Sequence, residues 1–356
     1  MSMKKPWRGI PWTGETMTTR TSDPMAKPPQ PLLDVRGLGI TFSGPGSLVP
    51  VVRDVSLTVA AGESVGLVGE SGCGKTVTGL ALMGLLPFRT SRFDGQILLD
   101  GENLLELSER QWRKRRGRRI GMIFQEPMTA LDPVFTIGAQ IGETLRTHFR
   151  IGRSEARERA IEALAQVGIP DPATRHDAYP HELSGGMRQR AMIAMTISCE
   201  PALLIADEPT TALDVTVQAQ IMDVLGELSA RSGMAMLFIS HDLGLVSQTC
   251  SRIVTMYAGE VVESRAADDV LCRPRHPYTS GLLRSLPSFT PRKGRLPSIP
   301  GRVPRPAEFP NGCRFEGRCP HAQQQCSARQ QLQPLRDGGF ARCWRSEELS
   351  LPGVLS

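Results

Sequence analysis

No run of about 18 or more apolar residues, the length that a membrane-spanning helix needs, occurs in this sequence of 356 residues. The sequence therefore predicts no segment that crosses a bilayer. An apolar signal region is also missing near the start, where polar residues and prolines follow Lys4 and Lys5. We expect residues 1–31 to form a disordered leader, and a later methionine such as Met17 is an alternative start.

Aromatic residues are scarce as well, at 5% against 40% hydrophobic residues in total. The core must therefore be aliphatic, which is typical of parallel sheets buried on both faces and disfavours an aromatic-rich β-sandwich. The length allows one large α/β domain with a smaller appendage, or two ordinary domains.

Charge is only weakly one-sided, with a formal net charge of +6. A basic protein can bind nucleic acid or an anionic membrane surface. Here the densest basic run, Arg113 to Arg119, leads directly into the apolar stretch Ile120 to Phe124. That placement is typical of a solvated loop or helix face, so we expect no nucleic-acid partner.

Strand and helix patterns alternate from about Leu32 onward, which predicts an α/β fold with a parallel, doubly wound sheet. The predicted strands are 33–42, 51–59, 64–68, 202–206 and 235–240, and the predicted helices are 76–86, 154–167 with Ser154 as its cap, and 217–230. Strand patterns stop after about Val262. Beyond Arg265 the composition shifts to Pro, Arg, Gln and Cys, which predicts a domain boundary there.

A phosphate-binding loop follows the strand 64–68. Gly69-Glu-Ser-Gly-Cys-Gly-Lys-Thr76 fits the pattern G-x-x-x-x-G-K-[ST] and stands between a strand and a helix, as the chemistry requires. Its glycines let successive backbone N–H groups face the phosphates of a nucleotide. Lys75 would supply a cation at the β- and γ-phosphates, and Thr76 a hydroxyl to Mg²⁺.

Two carboxylates, Asp207 and Glu208, end the apolar strand at 202–206. Open α/β sheets bind ligands at this end of their strands. We expect Asp207 to face Mg²⁺ and Glu208 to orient the attacking water and accept its proton. An ordinary acidic pair at a strand end is the alternative reading.

A third motif narrows the class of P-loop protein. Leu183-Ser-Gly-Gly-Met-Arg-Gln-Arg190 resembles the signature of the ATP-binding cassette (ABC) family, about twenty residues ahead of the Asp-Glu strand. Physically it is a second anion site, formed by the Ser184 hydroxyl and the amides of Gly185 and Gly186 at the start of a helix. In that family this segment meets the γ-phosphate of ATP held by the other cassette of a dimer.

The resemblance implies further site residues. Gln125 matches the glutamine that reaches the metal and the water, Ala212 to Asp214 matches the segment that communicates across the dimer, and His241 matches the switch histidine on the γ-phosphate. Phe42 lies where the family stacks an aromatic ring on adenine, and a core role is its alternative. Three residues are implied to bind Mg²⁺: Thr76, Gln125 and Asp207. The full set implied to bind nucleotide or Mg²⁺ is Phe42, Gly69, Glu70, Ser71, Gly72, Cys73, Gly74, Lys75, Thr76, Gln125, Ser184, Gly185, Gly186, Asp207, Asp214 and His241. The catalytic set is Glu208, His241 and Gln125.

Longer stretches resemble one branch, the ATPases of oligopeptide, dipeptide and nickel permeases. They are Phe124 to Pro133, Tyr179 to Arg190, Asp207 to Gln218, His276 to Thr279, Ile299 to Arg302 and Gly312 to Pro320. The resemblance implies an ABC cassette at 32–265 with a parallel core sheet, an antiparallel β-subdomain and a helical subdomain at about 126–185. It also implies a small, irregular, cysteine-containing C-terminal extension at 266–356.

The same resemblance implies an ATP-hydrolysing subunit of an importer for dipeptides or oligopeptides. Its partners would be two transmembrane permease subunits, a second, related cassette, and indirectly an extracytoplasmic solute-binding protein. The chain would lie at the cytoplasmic face of the inner membrane. Two alternatives stay open: uptake of nickel or another small solute, and a soluble ABC ATPase without a transport role. The motifs do not decide which solute is carried.

Four cysteines crowd into the C-terminal part: Cys313, Cys319, Cys326 and Cys343. Without a secretory signal, disulfides are not expected. Zinc sites usually pair their ligands with about two to four residues between them, and no such pair occurs here. The uneven spacing favours a [4Fe–4S] cluster, while zinc and free or redox-active thiols stay open.

Overall fold

The structure is a computed structural model that describes residues 30–44, 47–126, 130–211, 214–286 and 298–354. Its strands in chain order are β1 (Leu33–Gly44), β2 (Ser47–Val59), β3 (Ser64–Val68), β4 (Ser91–Leu99), β5 (Glu102–Asn103), β6 (Ile120–Ile123), β7 (Leu203–Asp207), β8 (Ala235–Ser240), β9 (Arg252–Tyr257), β10 (Glu260–Ala266), β11 (Gln333–Pro334) and β12 (Phe340–Ala341). Its helices are α1 (Lys75–Leu82), α2 (Glu109–Arg115), α3 (Ile137–His148), α4 (Arg153–Gln166), α5 (Pro172–His176), α6 (Gly185–Ile197), α7 (Val215–Ser232), α8 (Leu243–Ser247), α9 (Ala267–Cys272) and α10 (Pro277–Arg284).

The larger sheet has the strand order β11-β12-β10-β9-β3-β8-β7-β6. Its centre is parallel, because β3 pairs in parallel with β8 and β9, and β7 with β6 and β8. Strands β7 and β8 are buried along their whole length, as expected for a sheet covered on both faces. The predicted parallel sheet is confirmed.

A smaller, antiparallel sheet has the order β2-β1-β4-β5. It is the antiparallel β-subdomain expected from the family resemblance. The inward side chains of β1, β2 and β4 share one apolar cluster with residues of β3 and α1. The two sheets therefore enclose a common core beside the loop that follows β3.

Helices α3, α4 and α6, which come between β6 and β7 in the chain, pack against one another. The apolar face of α3, formed by Ile137, Ile141 and Leu145, is buried in the cluster that also holds Ala160 and Leu164 of α4. These positions recur at helical spacing, so the sequence pattern already favours the packing. This group is the helical subdomain of the fold.

Two predicted helix boundaries are wrong. Helix α4 begins at Arg153 with Gly152 at its N-cap, so Ser154 lies inside the first turn and is not the cap. Glycine and serine are both favoured at N-caps, and the sequence alone does not separate them. Helix α1 ends at Leu82 instead of 86, because Met83 caps it and Gly84 adopts a left-handed φ of 61°.

Strand structure also continues further than predicted. Strand β10 extends to Ala266, and the later part of the chain contributes β11 and β12. Strand β12 pairs with β10 through Glu263 and Ala341, so the late residues extend the edge of the main sheet. Strands of two residues are too short to show an alternating pattern, so no sequence pattern predicted them.

An aromatic cluster joins the late residues to the sheet. Tyr257 of β9, Tyr278 of α10 and Phe315 are buried together, with ring centroids 4.6 to 5.4 Å apart. Such ring pairs stabilise by burial and by edge-to-face geometry.

Within the described residues, no helix combines the length and the apolar character needed to cross a membrane. The predicted leader lies almost entirely outside the described residues.

Candidate nucleotide site

The phosphate-binding loop connects β3, in the middle of the sheet, to helix α1. Gly74 has a left-handed φ of 101°, which favours glycine at the start of the helix. At Gly69 a Cβ atom would collide with the carbonyl oxygen of Met256 in β9. Both glycines are thus required by backbone geometry, and the loop is held against the sheet.

Lys75 is buried at the first position of α1. Its Nζ donates hydrogen bonds to the carbonyl oxygens of Gly69 at 2.8 Å and of Glu70 at 3.1 Å. The ammonium group is therefore held inside the curl of the loop. This is the position from which a lysine reaches the phosphates of a bound nucleotide.

Thr76 and Asp207 are brought together by the neighbouring ends of α1 and β7. Thr76 Oγ1 donates to Asp207 Oδ1 at 3.2 Å. Burial, and secondarily the neighbouring Glu208 carboxylate, raises the pKa of Asp207 to about 6, although the hydrogen bond from Thr76 opposes the shift. A hydroxyl and a poorly solvated carboxylate are oxygen ligands that suit a hard cation, so these residues fit Mg²⁺.

Glu208 is the centre of a polar cluster. Its Oε2 accepts a hydrogen bond from Gln125 Nε2 at 3.3 Å and lies 3.2 Å from His241 Nδ1. Strands β6, β7 and β8 are neighbours, so the residues that follow them meet at one edge of the sheet. The structure thus brings together the three residues that the sequence assigned to catalysis.

Two residues that the sequence did not indicate, Thr211 and Gln189, contact Glu208 or the residue after it. Thr211 Oγ1 donates to the same Glu208 Oε2 at 3.0 Å, within a turn in which Thr211 N–H donates to the Glu208 carbonyl. Buried Gln189 of α6 donates to the carbonyl oxygen of Pro209. The short spacing from Glu208 to Thr211 could have suggested the first, whereas nothing local indicates the second.

The signature segment forms the start of helix α6. Ser184 is the N-cap, and its Oγ accepts a hydrogen bond from Met187 N–H at 3.3 Å. A Cβ atom at Gly185 would meet no other atom, so its backbone faces open space. The amides of Gly185 and Gly186 are thus presented at a helix N-terminus, where an anion binds favourably.

Two other predicted site residues have local structural roles. Asp214 is the N-cap of α7, with Oδ1 accepting from Val217 N–H at 3.0 Å, while Ala212 and Leu213 lie outside the described residues. Phe42 lies in β1, partly buried against the apolar core. Its stacking on adenine stays a prediction.

The four late cysteines line a single cavity together with His276 and His321. Burial, with a smaller contribution from the neighbouring thiols, raises the pKa of the Cys313 thiol to about 12 and that of the Cys343 thiol to about 11. In the described part of the chain, no group of three or more His, Cys, Asp or Glu side chains is arranged so that it could hold a metal ion. The cysteines therefore gather, but they do not form a ready ligand set.

The fold and this site define an ATP-hydrolysing P-loop cassette of the ABC class. Residues 52–211 match the ABC transporter family, and residues 262–326 match the C-terminal region of oligopeptide/dipeptide transporters. A probable peptide ABC transporter ATP-binding protein of Sinorhizobium fredii is 52% identical over 89% of this chain and 96% of its own length. The dipeptide transport ATP-binding protein DppD of Escherichia coli is 49% identical over 88% and 96%.

Solved structures of ABC transporter cassettes are similar to this chain in fold. A dimeric bacterial ABC transporter cassette superimposes with a TM-score of 0.59 and 26% identity, covering 66% of this chain and 98% of that one. The structure of cbiO1 from Clostridium perfringens, part of the ABC transporter complex cbiONQ, superimposes with a TM-score of 0.58 and 25% identity, covering 67% of this chain and 90% of that one. The chain belongs to the family of ABC transporter ATP-binding proteins. Within it, the chain carries the C-terminal region of the oligopeptide/dipeptide branch.

Proposed function

We propose that this chain is the ATP-hydrolysing subunit of an importer for dipeptides or oligopeptides, bound to the cytoplasmic face of the inner membrane. The observation that carries the proposal is that one chain matches both the ABC transporter family and the C-terminal region of oligopeptide/dipeptide transporters. The relatives named for peptide and dipeptide transport match this chain over nearly their whole length. We also propose a cassette at 32–265, with its helical subdomain at about 126–185, and an extension at 266–356.

The geometry supports the following division of labour in hydrolysis. The phosphate loop and Lys75 would hold the β- and γ-phosphates, and Thr76 and Asp207 would hold Mg²⁺, whose positive charge would offset that of the phosphates. Glu208 orients the attacking water and takes its proton. Its carboxylate oxygen is already fixed by Gln125, Thr211 and His241, so little reorganisation is needed.

A complete reaction site requires a second cassette. Ser184, Gly185 and Gly186 present an anion site on the surface, which suits the γ-phosphate of a nucleotide held by a partner cassette. We propose that the partner is a related subunit. ATP binding then closes the pair of cassettes, and hydrolysis reopens it.

An exposed apolar patch is the proposed contact with the permease subunits. Val134 is 69% exposed and Phe135 53% exposed, beside a groove lined by Gln140 and Glu143 of α3. Large exposed apolar side chains next to a groove mark interaction surfaces. This patch lies in the segment from Gln125 to Glu143, of which 127–129 are outside the described residues, and it would pass the closing motion to the membrane subunits.

A reconstituted transporter tests the peptide assignment. With its permease subunits, its second cassette and a peptide-loaded binding protein in liposomes, ATP turnover is expected to rise severalfold and peptide to accumulate inside. Phe135→Asp should weaken assembly with the permease, because a charge would be buried in the contact. Leu48→Asp places the same charge at another exposed apolar site and should assemble normally. Stimulation by nickel, or no association with membrane subunits, would favour the alternative functions.

We further propose that the four-cysteine cavity takes a [4Fe–4S] cluster in the cell. Support comes from four thiols that line one cavity, at spacings too uneven for paired zinc ligands. Within the described residues the thiols do not form a ready ligand set, so binding of the cluster would have to draw them together. The raised thiol pKa values of Cys313 and Cys343 are consistent with a site that needs a cation before its thiolates form. No step of ATP hydrolysis depends on this group.

Metal analysis of protein purified without oxygen tests this cofactor. We expect about four iron and four sulfide per chain and a broad visible absorption band, both lost in Cys319→Ser. Cys272→Ser is the control, because Cys272 does not line the cavity. Stoichiometric zinc, or no metal, would contradict the cluster while leaving the ATPase assignment intact.

A further inference from the structure

Arg318 of the C-terminal extension reaches into the nucleotide site. Its guanidinium group binds the carboxylate of Glu70, the second residue of the phosphate loop, with Nη1 to Oε2 at 2.7 Å and Nη2 to Oε1 at 3.0 Å. The Arg318 side chain is only 7% exposed. A bidentate pair with a buried guanidinium group fixes both the position and the orientation of the carboxylate.

The Arg318 guanidinium group also has contacts other than Glu70 that hold it in place. Nε donates to the carbonyl oxygen of Pro300 at 2.8 Å, and the group lies over the ring of Tyr257, 5.7 Å from its centroid. Arg318 is thus anchored on the side of the extension and of β9. It is a rigid support, unlike an arginine that swings freely in solvent.

The backbone of Glu70 is held as well. Its N–H donates to the hydroxyl oxygen of Tyr278 at 2.8 Å, and Tyr278 is fully buried in α10. Both ends of the residue are therefore attached to the part of the chain that follows the cassette. A lone surface ion pair would not restrain the loop in this way.

Glu70 is directly linked to the lysine that serves the phosphates. Its carbonyl oxygen accepts a hydrogen bond from Lys75 Nζ at 3.1 Å. Movement of Glu70 would shift this acceptor and the adjoining peptide groups of the loop. Since phosphate binding depends on the placement of such groups, small displacements weaken it.

We infer that the C-terminal extension takes part in ATP binding through Arg318, a positioning residue that holds Glu70 and thereby shapes the phosphate loop. This inference rests on the nucleotide site and is independent of the transported solute. It assigns the extension a role in the ATPase reaction itself. The loop is ready for phosphate only while the extension is docked.

Nucleotide affinity of the full-length chain tests the inference. Arg318→Gln is expected to raise the Kd for ATP about tenfold, which corresponds to about 1.4 kcal/mol. The KM for ATP should rise similarly, whereas kcat changes by less than about twofold, because Glu208 and its partners are untouched. Arg318→Lys should give an intermediate Kd, since an ammonium group cannot bind both carboxylate oxygens in the same plane.

The partner residue supplies an independent variant. Glu70→Gln changes no residue of the extension and lies in a partly exposed loop position, so it can be measured even if Arg318→Gln folds poorly. It should raise the Kd about as much as Arg318→Gln does. If Arg318 acts only through Glu70, the double variant should bind ATP with the same Kd as either single variant, because the effects of substituting two residues in contact do not add.

A matched control separates positioning from mere docking of the extension. Asp54 of β2 pairs with Arg342 at 3.2 Å, an ion pair between cassette and extension away from the loop. Asp54 has a left-handed φ of 53°, which asparagine tolerates well. Asp54→Asn should lower stability but leave the Kd for ATP unchanged.

Two outcomes would overturn the inference. Equal Kd values for Arg318→Gln, Asp54→Asn and the unaltered chain would make the contact purely structural. An increase in Glu70→Gln without one in a folded Arg318→Gln would mean that Glu70 acts on the nucleotide by itself. Loss of binding in a Lys75 variant is the separate check that the site is a nucleotide site at all.

Discussion

Replacing Glu208 with glutamine is expected to leave ATP binding in place and to lower the rate of ATP hydrolysis by about 100-fold or more. Glutamine has nearly the same shape, and its side-chain oxygen can keep a contact to Gln125 or Thr211. It cannot accept the proton of the attacking water. Binding and turnover should therefore separate, and the cassette pair should accumulate in its closed, ATP-bound form.

The measurement is steady-state phosphate release beside equilibrium ATP binding. Glu200→Gln is a matched control, because Glu200 is also a glutamate with a left-handed φ, 51° against 46° for Glu208, but it precedes β7 instead of following it. This control should turn over ATP normally. Turnover close to that of the unaltered chain in Glu208→Gln would refute the assignment of Glu208 as general base.

Replacing Lys75 with methionine is expected to weaken ATP binding by about 100-fold and to remove measurable hydrolysis. Methionine fills much of the buried space of the lysine stem but carries no charge for the phosphates. Hydrogen bonds to charged groups are worth about 1.5–3 kcal/mol each, and loss of more than one readily gives this factor. The effect should appear in the Kd, in contrast to that of Glu208→Gln.

Thermal unfolding with and without Mg²⁺-ATP measures the loss, since a ligand that binds the native state raises its stability. The unaltered chain should gain several degrees with ATP, and Lys75→Met should gain none. Lys114→Met makes the same substitution on an exposed position of α2 and should behave like the unaltered chain. Full ATP stabilisation of Lys75→Met would contradict the proposed phosphate site.

Several features of the site could be predicted because neighbours in sequence create them. The strand, loop and helix around Lys75, from Ser64 to Leu82, follow from an apolar run, glycines and a helix pattern that are contiguous in sequence. Ser184 at the start of α6 and the strand that delivers Asp207 and Glu208 are local in the same sense. In these segments backbone propensity, motif and hydrophobic pattern agree, so one window of sequence is enough.

Other features depend on which elements become neighbours in space. Gln125 meets Glu208 across 83 positions because β6, β7 and β8 lie side by side, and Arg318 meets Glu70 across 248 because the extension folds back over β9 and β10. The edge strands β11 and β12 and the gathering of four cysteines arise in the same way. The hydrophobic pattern of a segment shows which face of its helix or strand is buried, but it does not show which other element packs against that face.

The sequence by itself therefore determined the chemistry that we propose for this protein: a phosphate loop, a pair of carboxylates and a second anion site, each formed by contiguous residues. Only the tertiary structure decided how these groups are supported, through Thr211 and Gln189 around Glu208 and through Arg318 and Tyr278 around Glu70. The physical reason is that a reactive group needs a particular residue type, which a motif records. Support needs only a donor or a charge at the right distance, which any distant residue can supply once the chain has folded.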